Sequence, residues 1–202
     1  MKRYSYLFLA ALALSSCQND DNNAIYNDFG GMYKITSMQS ENPLDLNNDG
    51  IQSFDFYEEI AAPVYSSKNT SNQEAIPFYH FDEWSNYAEV RPAFHDQSDY
   101  PLLLLKLPLQ EISNEGSDTP FLTFYGHDLS DYEYTLTDNS RVDLKLVTPS
   151  AVRLGVVERL ERMDKDNFVV SMTARFFDFS TRKWIYTPIT VTYKRVTDSS
   201  SL

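Results

Sequence analysis

The segment that decides the fold is Gly31-Met32-Tyr33-Lys34-Ile35-Thr36-Ser37-Met38-Gln39. Successive side chains of an extended chain point to opposite faces, so Tyr33, Ile35 and Ser37 share one face. The pattern predicts a β-strand with one side directed at a core. Apolar runs of similar length recur between turn-forming residues, and they predict further strands over residues 76–84, 88–94, 102–109, 121–125, 132–137, 141–147, 152–163, 168–177 and 184–196.

The segment 152–163 fits two structures. Val152, Val156 and Leu160 recur at the spacing of one helix face. The β-branched pair Val156-Val157 and the lack of a strong capping residue favour a strand. We expect a strand here and keep the helix as the alternative.

The predicted strands define the fold class. They number roughly eight to ten, and short antiparallel strands in one domain either close into a barrel or pack as two sheets. A chain of 202 residues suits one domain, and no repeat or long linker divides it. We therefore expect an all-β fold with a single antiparallel barrel, and a β-sandwich is the alternative.

The first and last predicted strands resemble those of lipocalin-like barrels. Such barrels begin with a Gly-x-Trp strand whose aromatic ring packs under a basic residue of the final strand. Here Gly31-Met32-Tyr33 opens the first strand, with tyrosine in the place of tryptophan, and Thr192-Tyr193-Lys194-Arg195 ends the last one. The resemblance implies a barrel closed by Arg195, or else Lys194, over the ring of Tyr33.

The N-terminus has the features of a bacterial lipoprotein signal. Lys2-Arg3 precedes an apolar run over residues 7–14, which is shorter than the ~20 residues that cross a bilayer. Leu14-Ser15-Ser16-Cys17 resembles the lipobox of bacterial lipoproteins. The resemblance implies cleavage before Cys17 and membrane anchoring through diacylglycerol on its sulfur. An ordinary secretory signal with an incidental cysteine is the alternative.

The residues that follow Cys17 are polar and acidic, Gln18-Asn19-Asp20-Asp21-Asn22-Asn23, and predict a solvated tether. They resemble the acidic export signal of surface lipoproteins of the Bacteroidetes. That resemblance implies display at the cell surface from the outer membrane, with its periplasmic face as the alternative. The chain thus divides into a signal peptide (1–16), an acylated cysteine with a flexible tether (17–28) and a β domain (29–198).

The charge of the chain restricts its partners. The formal net charge is −12, and an acidic surface repels phosphate backbones, so we expect no nucleic-acid partner. The same charge disfavours adhesion of the domain itself to anionic lipid and is compatible with cations as ligands. Cys17 is the only cysteine, so the chain forms no internal disulfide bond.

Residues 45–55 read Asp-Leu-Asn-Asn-Asp-Gly-Ile-Gln-Ser-Phe-Asp. Calcium takes about six to eight oxygen ligands, and a glycine at the sixth position of such a loop permits a sharp turn. The alternating oxygens predict a structural calcium site formed by the side chains of Asp45, Asn47 and Asp49, the carbonyl of Ile51, and Ser53 and Asp55 directly or through water. The loop resembles an EF-hand or dockerin loop, except that Phe56 replaces the expected bidentate Glu. A solvated acidic turn is the alternative.

The stretch 31–59 joins the Gly-x-Tyr strand to this acidic loop and the glutamates after it. As a whole it is similar to lipocalin-like lipoproteins of unknown function from Bacteroidetes. The resemblance implies a barrel-like fold and an outer-membrane location, and it brings no known activity.

Aromatic residues cluster in two stretches, one around residues 79–87 and one over residues 176–186. Buried rings form core, whereas rings exposed at a barrel mouth stack on sugar rings or line a ligand cavity. The candidate ligand-facing aromatics are Tyr79, Phe81, Trp184 and Tyr186.

The sequence contains no nucleophile elbow, zinc-protease motif or phosphate loop. The histidines, His80, His95 and His127, are not spaced to share a metal. We expect a non-catalytic, lipid-anchored binding protein of the cell envelope whose ligand is a small apolar molecule or a glycan. The alternative is a structural or interaction subunit of an outer-membrane assembly, with envelope proteins as partners. A glycan hydrolase would need two facing carboxylates, for which the sequence holds no cue.

Overall fold

The structure is a computed structural model and describes residues 28–61, 86–92, 101–137, 141–149 and 152–197. Within these ranges lie nine strands and one short helix. The strands are β1 (Gly31–Leu44), β2 (Ser53–Asp55), β3 (Tyr87–Arg91), β4 (Leu102–Ser113), β5 (Phe121–Leu136), β6 (Arg141–Leu146), β7 (Val157–Arg162), β8 (Asn167–Asp178) and β9 (Lys183–Arg195). The helix α1 (Phe56–Ala61) follows β2 directly.

Eight of these strands close into one antiparallel barrel. The strand order is β1-β3-β4-β5-β6-β7-β8-β9, and β9 pairs back with β1. The remaining strand, β2, pairs with β1 at Gln39 and Leu44, whereas β3 pairs with β1 from Gly31 to Lys34. The closed barrel confirms the predicted all-β fold and its single antiparallel, lipocalin-like barrel, so the β-sandwich alternative is wrong.

The register gives the barrel two distinct ends. At one end, which we call the N-terminal end, the beginning of β1 at Tyr33 lies opposite Arg195 of β9. At the other, which we call the loop end, β1 finishes at Leu44 and β8 turns into β9 after Asp178. The predicted calcium loop therefore lies at one end of the barrel and the predicted cation–aromatic pair at the other.

A bulge in β1 changes which residues face the core. The pairing of β1 with β9 shifts register between Ile35 and Ser37, which moves the alternation of side chains by one residue. Met38, not Ser37, is consequently the next fully buried residue after Ile35. The prediction that Ser37 shares the inner face of Tyr33 is wrong for this reason.

Strand β5 is one long strand, although the sequence predicts two, over 121–125 and 132–137. The sequence suggests a turn at His127-Asp128, between the two predicted strands, but these residues continue the pairing with β4 without a break. Strand β4 pairs with β5 from Phe121 to Glu133, and the buried carboxylate of Asp128 accepts a hydrogen bond from the backbone N–H of Leu154. Tertiary pairing thus overrides the local turn signal.

The uncertain segment 152–163 contains strand β7, and the helix alternative is wrong. Its first residues, 152–156, precede the strand. The strand predicted over 76–84 and the end of the one over 88–94 lie outside the described residues.

The helix α1 was not predicted, because six residues are too few to show helical periodicity. It begins at a cap: Oδ1 of Asp55 accepts the backbone N–H of Glu58 at 3.0 Å. Phe56 and Ile60, one turn apart, are both buried. Phe56 lies edge-on to Phe176 with ring centroids 5.1 Å apart, so the helix covers the loop end of the barrel.

All eight barrel strands contribute to the main core cluster. A second, smaller cluster consists of Leu122, Phe177 and Phe179, with Ile112 and Trp184 packed against it. The largest fully buried side chains of the main cluster include Tyr33, Tyr132, Phe168 and Tyr193. The rings of Phe168 and Tyr193 are stacked at 4.7 Å. The inside of the barrel is therefore packed by the protein's own aromatic and aliphatic side chains.

Candidate functional site

The loop between β1 and β2 is attached to the barrel by its first residue. The backbone N–H of Asp45 donates to Oδ1 of Asp178 at 3.0 Å, and the carbonyl of Asp45 accepts from the backbone of Phe179 at 2.9 Å. Asp45 and Asn47 are almost fully buried. The loop thus begins inside the folded structure and is not a solvated turn at this point.

Three of the predicted ligands organise the loop through their side-chain oxygens. Asp45 Oδ2 accepts the N–H of Gly50 at 3.0 Å, and Asn47 Oδ1 accepts the N–H of Asp49 at 3.0 Å. Asp49 Oδ1 accepts the N–H of Ile51 at 2.7 Å. Gly50 has a φ of 90°, a left-handed conformation that glycine adopts without steric cost. The three side chains are therefore directed at the same turn of backbone.

The structure brings an additional acid to the loop from α1. Oε2 of Glu59, whose residue is 6% exposed, accepts the backbone N–H of Leu46 at 3.0 Å. Burial raises the pKa of Glu59 to about 7, opposed by the hydrogen bond from Leu46 and reinforced by the charges of Asp49 and Asp45. Glu58 and Glu59 follow the loop in the sequence, and Glu59 is the one that reaches it.

The later predicted ligands have other contacts. Ser53 Oγ accepts the N–H of Asp55 at 3.0 Å, and Asp55 caps α1. Ile51 is 66% exposed. Among the described residues, no group of three or more His, Cys, Asp and Glu side chains is arranged to hold a metal ion. The oxygens that fit a cation best are those of Asp45, Asn47 and Asp49, with Glu59 beside them.

Asp178 fastens the turn between β8 and β9 to the loop. Besides the N–H of Asp45, its carboxylate accepts hydrogen bonds from the backbone and hydroxyl groups of Ser180 and Thr181. Burial alone would raise the pKa of Asp178, but the bonds from Thr181, Asp45 and Ser180 outweigh burial and lower it. The sequence indicated only a turn here, because the partner at Asp45 is remote in the chain.

A buried amide supports the same region from β4. Nε2 of Gln110 donates to the carbonyls of Leu46 and Phe177 at 3.2 Å each, and Oε1 accepts the N–H of Phe177 at 2.7 Å. Gln110 was not singled out in the sequence, and its strand position gives no signal for this role.

At the N-terminal end the structure brings Tyr33 and Arg195 together. The guanidinium lies 5.1 Å from the ring centroid, and its Nη2 donates to the Tyr33 hydroxyl at 2.8 Å. Arg195 also donates to the carbonyl of Gly30 at 2.5 Å. Burial raises the pKa of Tyr33 to about 12, although Arg195 and Arg162 oppose that shift. Lys194, the other candidate, points outward and is exposed.

Trp184 and Tyr186 lie on the outer surface of β9, not at a barrel mouth. The guanidinium of Arg175 stacks 4.3 Å from the Trp184 ring, and Trp184 Nε1 donates to Oε2 of Glu115 at 3.1 Å. Tyr186 is 69% exposed and lies opposite Arg175 in the register. We call Arg175, Trp184 and Tyr186 the outer aromatic patch. Side chains alternate between the two faces of β9, and the sequence alone does not show which of these faces is the outer one.

The remaining predicted site residues, Cys17, Tyr79 and Phe81, lie outside the described residues, as does the signal peptide. No family model matches the chain, and searches among curated proteins and solved structures likewise find no match. Within the described ranges, no helix has the length and apolar character needed to span a membrane.

Proposed function

We propose that the protein is a lipid-anchored, non-catalytic binding protein of the bacterial cell envelope, with a glycan as its ligand on the outer aromatic patch. The observation that carries the proposal is that Trp184, which contacts Arg175 and Glu115, and the 69% exposed Tyr186 lie two residues apart on the outer face of β9. An aromatic ring flanked by charged hydrogen-bonding groups suits a sugar, which presents apolar faces and hydroxyl edges. A small apolar ligand is less favoured, because the barrel interior is packed by its own side chains.

The position of the outer aromatic patch supports display away from the membrane. The described chain starts at Asp28, at the N-terminal end of the barrel, and the proposed lipid anchor at Cys17 precedes it. Trp184 is the second residue of β9 and belongs to the loop end. A barrel tethered through its N-terminal end therefore presents the patch on the far side from the anchor, as binding at the cell surface requires.

The test is binding of the mature protein to an array of immobilised bacterial and host glycans. We expect a defined subset of glycans to bind, and Tyr186→Ala to abolish that binding. Phe54→Ala is the matched control, since Phe54 is a similarly exposed ring, 53% accessible, on β2. Equal binding by wild type and Tyr186→Ala, or no glycan binding at all, would refute the proposal.

A structural calcium ion is the second part of the proposal. Asp45, Asn47, Asp49 and Glu59 would hold it, with the Ile51 carbonyl, Ser53 and Asp55 completing the shell directly or through water. Its support is the buried, charged character of the loop: Asp45 and Glu59 are buried in the same region as Asp49, which costs free energy unless a cation compensates. The ion would neutralise these carboxylates and brace the loop against the barrel.

The alternative function, an interaction subunit of an outer-membrane assembly, is favoured by two exposed apolar residues at the loop end. Ile51, two residues before β2, is 66% exposed, and Phe54, within β2, is 53% exposed. Native electrophoresis of detergent-solubilised envelopes distinguishes the two functions. Migration in a large complex that is lost in an Ile51→Ser, Phe54→Ser double variant, and retained in Tyr186→Ala, would favour the subunit.

A further inference from the structure

The outer surface of β9 continues from the outer aromatic patch as a line of uncharged side chains. Pro188, Thr190 and Thr192 follow Tyr186 at every second position of the strand. The residues between them, Ile189 and Val191, belong to the core, so this line faces outward. From Tyr186 to Thr192 the extended chain spans about 20 Å.

Neighbouring strands widen this line. Thr190 lies opposite Ser171 of β8 on one side and opposite Gln39 of β1 on the other. Pro188 lies opposite Thr173 of β8. Gln39 and Thr190 are exposed, and Ser171 and Thr173 are half-buried. We give the name neutral strip to a set of six residues: Gln39, Ser171, Thr173, Pro188, Thr190 and Thr192.

The neutral strip contains no charged residue, although 23% of the chain is charged and its net charge is −12. The outer wall formed by β5 and β6 is different, since it carries ion pairs such as that of Lys145 with Glu133 at 2.9 Å. Charges near the strip lie at its margin: Glu158 of β7 uses its carboxylate to accept the backbone N–H of Thr173 at 3.1 Å. A surface without charge matches a partner without charge, because an ionic partner would lose hydration there and gain no counter-charge.

The side chains of the strip offer hydrogen bonds to a ligand. A hydroxyl group both donates and accepts, and the amide of Gln39 does the same through two atoms. Within the described part of the chain, the hydroxyls of Ser171, Thr173, Thr190 and Thr192 make no hydrogen bond to the protein. Sugar hydroxyls, which also donate and accept, complement such a surface.

We infer that the neutral strip extends the proposed glycan site, so that the ligand is an uncharged, linear glycan lying along β9 with one sugar unit on the outer aromatic patch. The inference rests on the proposed function. A strip of about 20 Å is longer than one sugar ring covers, so it accommodates several units. A protein partner fits less well, because the strip lacks the large aromatic or arginine anchors that carry protein interfaces.

The test is calorimetric titration of the mature protein with linear oligosaccharides of glucose, mannose and xylose, each in lengths from two to eight units. For at least one of these sugars, we expect Kd to fall by about tenfold as the chain lengthens, since each added unit gains hydrogen bonds along the strip. The fall should stop once the chain reaches past Thr192, where Lys194 follows on the same face.

A double variant, Thr190→Val with Thr192→Val, tests the strip itself. Valine keeps the branched shape and the preference for a strand while removing the hydroxyl. We expect about tenfold weaker binding of the longest oligosaccharide and unchanged binding of the disaccharide. Thr135→Val, at an exposed threonine on β5, is the matched control and should bind like wild type. Equal thermal unfolding by circular dichroism shows that the variants are folded.

Each contrary result has a distinct meaning. Array glycans that bind through Tyr186 without any dependence on chain length would overturn the inference and leave the proposed function intact. An absence of binding to every glycan would remove both. Equal affinity for oligomers of galacturonic acid would contradict the uncharged ligand class. A dimer in sedimentation that Thr190→Arg dissociates would show that a second copy covers the strip, and would overturn the inference as well.

Discussion

Asp45 and Asp178, 133 residues apart in the chain, are joined by a hydrogen bond of 3.0 Å from the backbone N–H of Asp45 to the carboxylate Oδ1 of Asp178. The bond connects the loop after β1 to the turn between β8 and β9. Because Asp178 also accepts from Ser180 and Thr181, one buried carboxylate organises two chain reversals. Asp178 therefore joins two segments at the loop end of the barrel that are remote in the chain.

Replacing Asp178 with Ala should lower the free energy of unfolding by about 2–4 kcal/mol, since buried N–H groups would lose a charged acceptor. The measurement is urea denaturation at neutral pH. Asp164→Ala is the matched control, because Asp164 makes similar bonds to Asp166 and Asn167 but is solvent-exposed. Asp164→Ala should lower the free energy of unfolding by clearly less than Asp178→Ala does. Equal decreases in the two variants would contradict the role assigned to Asp178.

The pKa of Glu59 makes stability depend on pH. Folding raises that pKa from 4.5 to about 7, so between these values the folded state binds a proton that the unfolded state has lost. In metal-free buffer, stability should therefore fall as pH rises from about 4.5 to about 7, by at most about 3 kcal/mol. Glu59→Gln, which keeps an oxygen acceptor for Leu46, should remove this slope. A slope that persists in the variant would show that other groups produce it.

Calcium should stabilise the folded protein through the loop after β1. At a hundredfold excess over Kd, a ligand specific for the folded state adds about 2.7 kcal/mol. Thermal unfolding with calcium and then with chelator should show an upward shift in Tm that disappears in Asp45→Ala and in Asp49→Ala. Asp164→Ala, an acid of the turn after β7, should keep the shift. An unchanged shift in both loop variants would disprove the ligand assignment.

Arg195 and Lys194 are adjacent, but only Arg195 closes the N-terminal end of the barrel. Arg195→Met should cost about 2–4 kcal/mol, because the carbonyl of Gly30 and the Tyr33 hydroxyl lose their donor and the ring loses its cation. Lys194→Met, at an exposed position, should change the free energy of unfolding by less than about 0.5 kcal/mol. Urea denaturation compares the two, and the reverse order would assign the closure to Lys194.

The sequence predicts those features that depend on neighbours in the chain. The alternation around Tyr33 indicates β1, and the Gly-x-Tyr and terminal Arg195 pattern indicates how the barrel closes. The bulge that turns Met38 inward depends on pairing with β9 and leaves no local trace. His127 and Asp128 suggest a turn locally, yet a long partner strand keeps them extended.

The residues of the candidate site are likewise predictable only where they are neighbours in the chain. Asp45, Asn47 and Asp49 are recognisable together because they follow one another in a single loop. Glu59 joins them only through a short helix, and Asp178 only through the closure of the barrel. Contacts between remote residues of this kind have no signature in one sequence.

The proposed function requires that the glycan binds on the outer wall of the barrel and not inside it. The most direct measurement is a heteronuclear NMR titration with a glycan identified on the array. The account predicts that the indole N–H signal of Trp184 shifts while the methyl signal of Met172, buried within the barrel core, stays in place. A shift of Met172 with an unmoved Trp184 would place the ligand inside the barrel and contradict the account.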